Sequence, residues 1–399
     1  MIYFEALNAL AGDCLLLRYP GPDKKERLWI IDGGPKADKK RNITVWKDVL
    51  LPRLKQINAT TPLPVALGMV SHIDDDHING IQKLTSTLIA ARPGQPAAVR
   101  FARFWFNSFE KIVGPKPSGL SGEAATASLQ SLALDAMPGV GDEHAELVMQ
   151  SVPQGNALAA DLGTLQLIGN KPVNGFVMAK KGQKKFPIEG ADVTVIGPLE
   201  RRLDALRQAW AEALKKPSKN ARQAALQELF LPDKSLDKSV PNLSSIVVLV
   251  EIGKRKLLLT GDAHGDDVVT AWKELGLPGN KSTKIDLLKM PHHGSIRNTT
   301  ESFLQFFEAE HYVFSADGKY DNPDAPTIEA LVKMHGKRKI VMHFTNADVK
   351  WKDPYKLEKN KAKVRDLDGL LKALHAAYPG PWSENMRKKA DKSVVVTLA

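Results

Sequence analysis

Short apolar runs broken by glycine, proline and charge dominate both ends of this chain. "MIYFEAL", "CLLLRYP" and "RLWIIDGG" fill its start and predict three strands. In "NITVWKDVLLPRLKQI", Val45, Val49, Leu50 and Leu54 fall near helical spacing. "PVALGMVS" then predicts a buried strand, "NGIQKLTSTLIAA" a helix, and "AAVRFARFWFN" another strand. Residues 110–160 are rich in Gly, Ser and Ala and weakly patterned, which predicts a loop with short helices.

Strands resume at "GTLQLIG" and "ADVTVIGP". Residues 201–232 predict a helical insert, with Leu203, Leu206, Trp210 and Leu214 on one stripe. "SSIVVLVEIGKRKLLLTGD" reads as a hairpin, and "IDLLKMPHHGS" as a strand that ends in histidines. "YVFSAD" and "KIVMHFT" are two more strands. Between them "DAPTIEALVKMHG" is a helix with Asp324 as cap, Pro326 in its first turn and Gly336 at its end. "DGLLKALHAAYPG" predicts a last helix and "SVVVTLA" a closing strand. Strand-rich halves with helices between and after them predict two sheets with helices outside, a layered α/β domain.

Length and composition widen this little. A chain of 399 residues that is 43% hydrophobic can bury a large core. No apolar run reaches the roughly 18 residues of a membrane helix, and "MIYFEALNALAGD" lacks the basic start of a secretory signal. The single cysteine, Cys14, excludes an internal disulfide and reads as core, so a cytoplasmic protein without a membrane partner is expected. Charge adds more. The net charge is +11, and the excess is confined to two segments. Residues 180–240 carry 13 Lys and Arg against 8 Asp and Glu, and residues 350–392 carry 12 against 6. Such localised charge suits an anionic partner such as nucleic acid.

The chemistry gathers where strands end. "SHIDDDHING" follows a buried strand and offers His72, Asp74, Asp76 and His77. Alternate residues leaving a strand can point one way, so His72 and Asp74 can address one ion while Asp76 and His77 turn to a second. Imidazole and carboxylate are the usual protein ligands of divalent metals. Burying them without a counter-charge is costly. "LLLTGDAHG" places Asp262 at the end of another apolar strand, and "LLKMPHHGS" places His292 and His293 at the end of a third. Sites in layered α/β folds form at such strand ends.

In this combination, "GDCLLL", "WIIDGG", "SHIDDDHING", "LLLTGDA" and "MPHHGS" resemble the metallo-β-lactamase-fold hydrolase superfamily. The branch they resemble includes the nuclease-like domain of bacterial DNA-uptake (competence) proteins. The resemblance implies a four-layered αββα sandwich with helical and basic insertions. It spans residues 1–345 as a catalytic domain, with insertions near 110–160 and 200–240 and a basic extension, 346–399, packed on the same domain. It implies two divalent ions, Zn²⁺ or Mn²⁺, with His72 and Asp74 on one, Asp76 and His77 on the other, and Asp262 bridging. His292 or His293 would add a later ligand, with His292 favoured. Asp32 of "IDGG" would fix the tautomer of a ligand histidine.

Three departures matter. Asp74 stands where the commoner motif has His, which makes the site oxygen-richer and admits Mn²⁺. The histidine that many relatives place between the first motif and the bridging Asp is missing, since His144 in "GDEHAEL" reads as a surface residue. Asn322 stands where the branch has His, so one ion would be held weakly. His264 and His343 are candidate proton donors.

The expected reaction is hydrolysis by a metal-bound hydroxide, with Asp76 orienting the water. The expected enzyme is a phosphodiesterase or nuclease. Lys180, Lys181, Lys184, Lys185, Arg201, Arg202, Lys215, Lys216 and Lys219 would hold phosphates, and the 201–232 insert offers a surface for a protein partner. The alternatives are a hydrolase of a small phosphodiester, lactone or lactam, and a non-catalytic, metal-stabilised subunit.

Overall fold

The first three apolar runs form an antiparallel meander of β1 (Ile2–Leu7), β2 (Leu15–Pro20) and β3 (Glu26–Ile31). Their side chains alternate between two cores. Leu16, Leu28 and Ile30 face one, and Leu15, Leu17, Trp29 and Ile31 face the other. A sheet buried on both faces explains why these strands read as nearly continuous apolar runs. The structure is a computed structural model and describes residues 1–38, 41–58, 61–91, 97–108, 143–215, 242 and 244–399.

A π-helical turn, Val45–Leu50, leads into α1 (Leu51–Ile57). The run "PVALGMVS" then divides into β4 (Leu63–Val65) and β5 (Leu67–Met69), followed by α2 (Asp75–Ala90). "AAVRFARFWFN" divides likewise into β6 (Val99–Phe101) and β7 (Phe104–Trp105). β4 pairs with β6 alone, while β5 joins β3 and β7. Each run therefore serves two sheets, which its apolar character alone does not reveal. Gly68 allows the crossing, because a Cβ there would meet the Phe104 ring at 2.4 Å.

α3 (Glu143–Thr164) replaces the expected loop over its length, with Leu158 and Leu162 buried in the core beneath α2. The expected strand at "GTLQLIG" does not form. The helix ends there in a tight reversal, with Gln166 at φ 57° and the Leu167 N–H donating to the Leu162 carbonyl at 2.8 Å. The rest of the 110–160 reading, through residue 142, lies outside the described residues.

The second half supplies β8 (Phe186–Ile188), β9 (Ala191–Gly197), α4 (Glu200–Leu214), β10 (Val247–Ile252), β11 (Arg255–Leu259), α5 (Gly265–Glu274) and β12 (Thr283–Lys289). Then come α6 (Glu301–Phe306), β13 (Phe307–Phe314), α7 (Ala325–His335) and β14 (Val341–Phe344). The C-terminal segment forms β15 (Lys350–Lys356), β16 (Lys363–Asp366), α8 (Leu367–Ala377), β17 (Ser383–Met386) and β18 (Ser393–Leu398).

Two mixed sheets result, ordered β18-β1-β2-β3-β5-β7 and β17-β14-β13-β12-β11-β10-β9-β8. One apolar core lies between them. A second lies beneath α1, α2 and α3 on the six-stranded sheet, and a third beneath α5 to α8 on the eight-stranded sheet. This is the four-layered αββα sandwich expected from the sequence. Among the described residues no helix is long and apolar enough to cross a membrane.

Candidate metal centre

The chain turns at the carboxyl ends of β5, β11, β12 and β13 come together at one edge of the sandwich, joined by the β1–β2 turn. Two close approaches lock these turns in place. The Asp13 N–H donates to the Asp76 carbonyl at 3.1 Å, and a Cβ on Gly12 would lie 1.9 Å from that same oxygen. Gly33 of "IDGG" meets Gly80 of "HING" so closely that a Cβ on Gly80 would sit 2.0 Å from the Gly33 carbonyl oxygen. Asp32, His292 and His293 all adopt left-handed backbone, at φ 55°, 44° and 58°. Non-glycine residues rarely hold that conformation outside sites the surrounding structure over-determines.

One oxygen, Asp262 Oδ2, is the focus. Four histidine Nε2 atoms face it: His77 at 3.3 Å, His293 at 3.4 Å, His292 at 3.6 Å and His72 at 3.9 Å. Two carboxylates complete the ring. Asp74 lies 3.7 Å from His72 Nε2, and Asp76 lies 3.4 Å from His293 Nε2 and 3.9 Å from His77 Nε2. The distances sort into two cradles that share Asp262. One has His72 and Asp74, the other has Asp76, His77 and His293, and His292 meets the shared Asp262.

The far nitrogen of each ring meets an oxygen. His77 Nδ1 donates to Asp32 at 2.9 Å. His72 Nδ1 donates to Ser71 Oγ at 3.0 Å, and that hydroxyl donates in turn to Asp32 at 2.7 Å. His292 Nδ1 donates to Asn298 Oδ1 at 2.8 Å. His293 Nδ1 lies 3.3 Å from Asp13 Oδ1, an ion-pair contact. With Nδ1 protonated, the Nε2 lone pair is free to accept a proton or a cation.

Buried polar atoms are nearly always hydrogen-bonded. Here the Nε2 atoms of His72 and His77, both ring nitrogens of His293, and one oxygen each of Asp13, Asp74 and Asp262 are buried without a hydrogen-bond partner. The fit to a metal ion is close. Ligands about 2.1 Å from a tetrahedral ion stand about 3.4 Å apart, the spacing found around Asp262. The buried group Asp13, His77, Asp262 and His293 could hold a metal ion, its donor atoms lying within 4.8 Å of one another.

The side chains hold one another's charges. Burial pushes the Asp262 carboxyl up, but His293, His77 and His292 more than reverse this and keep it well below the usual range. Burial pulls His77 and His293 down, and the Asp262 carboxylate beside them raises both well above an ordinary imidazole. Asp76 and His292 are the accessible members, their side chains 24% and 16% exposed, and the others are almost fully covered.

Other expected residues lie elsewhere or act at one remove. Asn322 donates to the His292 carbonyl at 3.3 Å and so supports the turn rather than facing the cradles. His264 stands at the N-cap position of α5, with its Nε2 buried and unpartnered, and joins neither cradle. His343 meets His311 at 3.0 Å and Asn385 at 3.1 Å, between strands β13, β14 and β17 and apart from the Asp262 cluster. Asp13, Ser71, Asn298 and Lys289 were not read from the sequence. Asp13 had a signal in "GDCLLL", and Lys289 is a lone cation inside the apolar run "IDLLKMP".

The basic residues divide. Arg201 pairs with Glu274 at 2.7 Å and Arg202 with Asp267 at 2.9 Å, docking α4 onto α5. Lys185 pairs with Glu251 at 2.5 Å and Lys215 with Glu212 at 2.6 Å. Lys180, Lys181 and Lys184 are exposed, with no ion pair among the described residues. Lys216, Lys219 and residues 216–232 of the helical insert lie outside the described residues. Of the insert's stripe, Leu203 is buried, and the side chains of Leu206, Trp210 and Leu214 lie outside the description. His144 lies in α3, with its side chain likewise outside.

No family model matches the chain. A stretch of 100 residues, 25% of the chain, is 31% identical to Recombination protein 2 of Haemophilus influenzae and covers 12% of that protein. Among solved structures, a mutant of the CmlA beta-hydroxylase aligns with 99% of this chain and 54% of its own length, at 12% identity and a TM-score of 0.36.

Proposed function

We propose that this chain is a metal-dependent hydrolase of phosphodiesters, with nucleic acid as its substrate. The observation that carries the reading is the convergence of four imidazole Nε2 atoms on one oxygen of Asp262, with two further carboxylates, Asp74 and Asp76, beside those imidazoles and the buried Nε2 atoms of His72, His77 and His293 unpartnered. In this reading His72, Asp74 and His292 hold one divalent ion, Asp76, His77 and His293 hold a second, and Asp262 serves both. Both histidines of "PHHG" are ligands, one for each ion. Such ions, when bound, activate water and stabilise charge developing on a phosphoryl oxygen.

The chain's own residues do the rest. Asp76, the most accessible carboxylate of the cluster, orients the attacking water and takes its proton. Lys319 holds its ammonium 4.7 Å from the centre of the Tyr320 ring and lies within the field of Asp76. It is placed to receive a substrate anion. The named relative, a recombination protein, supports nucleic acid as the substrate class.

A second reading, a small phosphodiester, lactone or lactam, is favoured by the ion pairs that occupy Arg201, Arg202, Lys185 and Lys215. One assay separates the two. The purified chain, loaded with Zn²⁺ or Mn²⁺, is offered single- and double-stranded DNA, RNA and a chromogenic bis-aryl phosphate, beside Asp262→Asn. Metal-dependent cleavage of polymer, lost in the variant, supports the first reading. Turnover of the small ester alone supports the second, and metal uptake without turnover of any substrate removes both.

A further inference from the structure

Lys289 ends β12 with its side chain fully buried, its ammonium 2.6 Å from Asp13 Oδ2 and donating to the Met290 carbonyl at 3.0 Å. The other oxygen of Asp13 accepts from the Ser315 hydroxyl and lies 3.3 Å from His293 Nδ1. A buried ion pair is a weak source of stability, because desolvation offsets most of the attraction. Its position suggests another purpose. Asp13 touches His293 and His77 only at Nδ1, at 3.3 and 4.0 Å. The Nε2 atoms of both rings face Asp262 on the opposite side. The two nitrogens of an imidazole point in divergent directions, so an ion bound at His293 Nε2 beside Asp262 lies across the ring from its contact with Asp13.

We infer that Asp13 is a positioning residue, held by Lys289, that fixes the ring of His293 with Nε2 turned toward Asp262, through an ion-pair contact at Nδ1 where Asp32 uses a hydrogen bond for His77. The inference rests on the metal-centre reading above and goes beyond it. It assigns roles to an acid and a buried lysine, and it removes Asp13 from the ligand set despite its closeness to the cluster. Lys289 supplies the counter-charge 2.6 Å from Asp13 and aims it.

Metal binding tests the assignment without any substrate. Wild type, Asp13→Asn, Lys289→Met, the double variant and His293→Ala are titrated with Co²⁺ and then with Zn²⁺ in competition with a chelator. The visible Co²⁺ spectrum reports the ligand set. Glu329→Gln, which alters a buried carboxylate bound by Tyr355 and Tyr378 in the outer layer, controls for lost stability. Asp13→Asn and Lys289→Met should keep the wild-type stoichiometry and band shape but bind roughly 10- to 100-fold more weakly. The double variant should be no weaker than the weaker single one, and Glu329→Gln should bind as wild type.

Loss of one equivalent in Asp13→Asn, with the altered spectrum of His293→Ala, would make Asp13 a ligand and overturn the inference. So would unchanged affinity in both variants. If Asp13→Asn does not fold, Lys289→Met and Ser315→Ala carry the same comparison. Wild type that takes up neither metal would instead sink the metal-centre reading itself.

Discussion

Asp32 and His77 meet at 2.9 Å in a buried contact, and the other nitrogen of that ring lies 3.3 Å from Asp262. The same carboxylate accepts from the backbone N–H and the hydroxyl of Ser71, both at 2.7 Å, and that hydroxyl accepts from His72. One acid thus sets two rings, one in each cradle. In the two-ion reading proposed above, Asp32→Asn should weaken binding of both ions, by roughly 10- to 100-fold, without changing how many bind. Competition with a chromophoric chelator checks this. A single weakened equivalent would mean that His72 is set by Ser71 alone.

Metal should stabilise the fold as well as arm it. A ligand that binds only the native state adds about 2.7 kcal/mol at a hundredfold excess over its Kd. Chelation should therefore lower the Tm, and restored Zn²⁺ or Mn²⁺ should recover it. Asp262→Asn should blunt the whole response, because its carboxylate faces all four imidazoles. An identical Tm with and without chelator in wild type would count against a buried metal centre.

How far the sequence disclosed this centre depends on how local each residue's role is. His72, Asp74, Asp76 and His77 fall within six residues, and Asp262 and the His292–His293 pair end apolar strands, so residue type and strand pattern exposed them together. Asp13 meets Lys289, His293 and Ser315, hundreds of positions away, and "GDCLLL" beside it does not announce these partners. Asn298 is found only once the "HHGSIRN" turn closes back on His292 and Asp262. The layered fold followed from runs buried on two faces. The division of "PVALGMVS" did not, because it depends on a Phe104 ring crossing Gly68. At "GTLQLIG" the alternating pattern suggested a strand, but Leu158 and Leu162 carry the helix into the core first.

Gly12 should not tolerate a side chain. Its missing Cβ is what lets the β1–β2 turn reach the first turn of α2, 1.9 Å being no possible contact with the Asp76 carbonyl. Gly12→Ala must push these two segments apart, at a cost of about 1–3 kcal/mol or more, and with them Asp13 and Asp76. A lower urea midpoint together with weaker metal binding is expected. Gly163→Ala, where a Cβ meets nothing within 4 Å, serves as the neutral comparison.

His343 should govern acid stability and not metal binding. Burial, and then the neighbouring His311, push it down to about 3. An unfolded histidine titrates near 6.5, so between those values the unfolded chain holds a proton that the folded chain refuses. Stability is therefore unaffected above neutral pH and falls as the pH drops, by up to about 1.4 kcal/mol per pH unit from this group. His343→Gln should flatten the fall in urea midpoint between about pH 6 and pH 4, while metal content at neutral pH stays as in wild type. A loss of metal in this variant would return His343 to the active centre.

The salt dependence of binding discriminates among the basic residues. Each phosphate contact on a duplex adds about 0.9 to the slope of log K against log salt. Arg201 and Arg202 already spend their guanidinium groups on Glu274 and Asp267, so a polyanion would have to displace those carboxylates first. Lys180, Lys181 and Lys184 are exposed without such partners among the described residues. Replacing these three lysines with Gln should reduce the slope by up to about 3 on duplex DNA, whereas Arg201→Gln with Arg202→Gln should barely change it and should instead loosen α4 from α5. Filter binding across a salt series, with catalysis blocked by Asp262→Asn, measures both. A wild-type affinity that ignores salt would leave the polymer reading without its electrostatic support and favour the small-ester substrate.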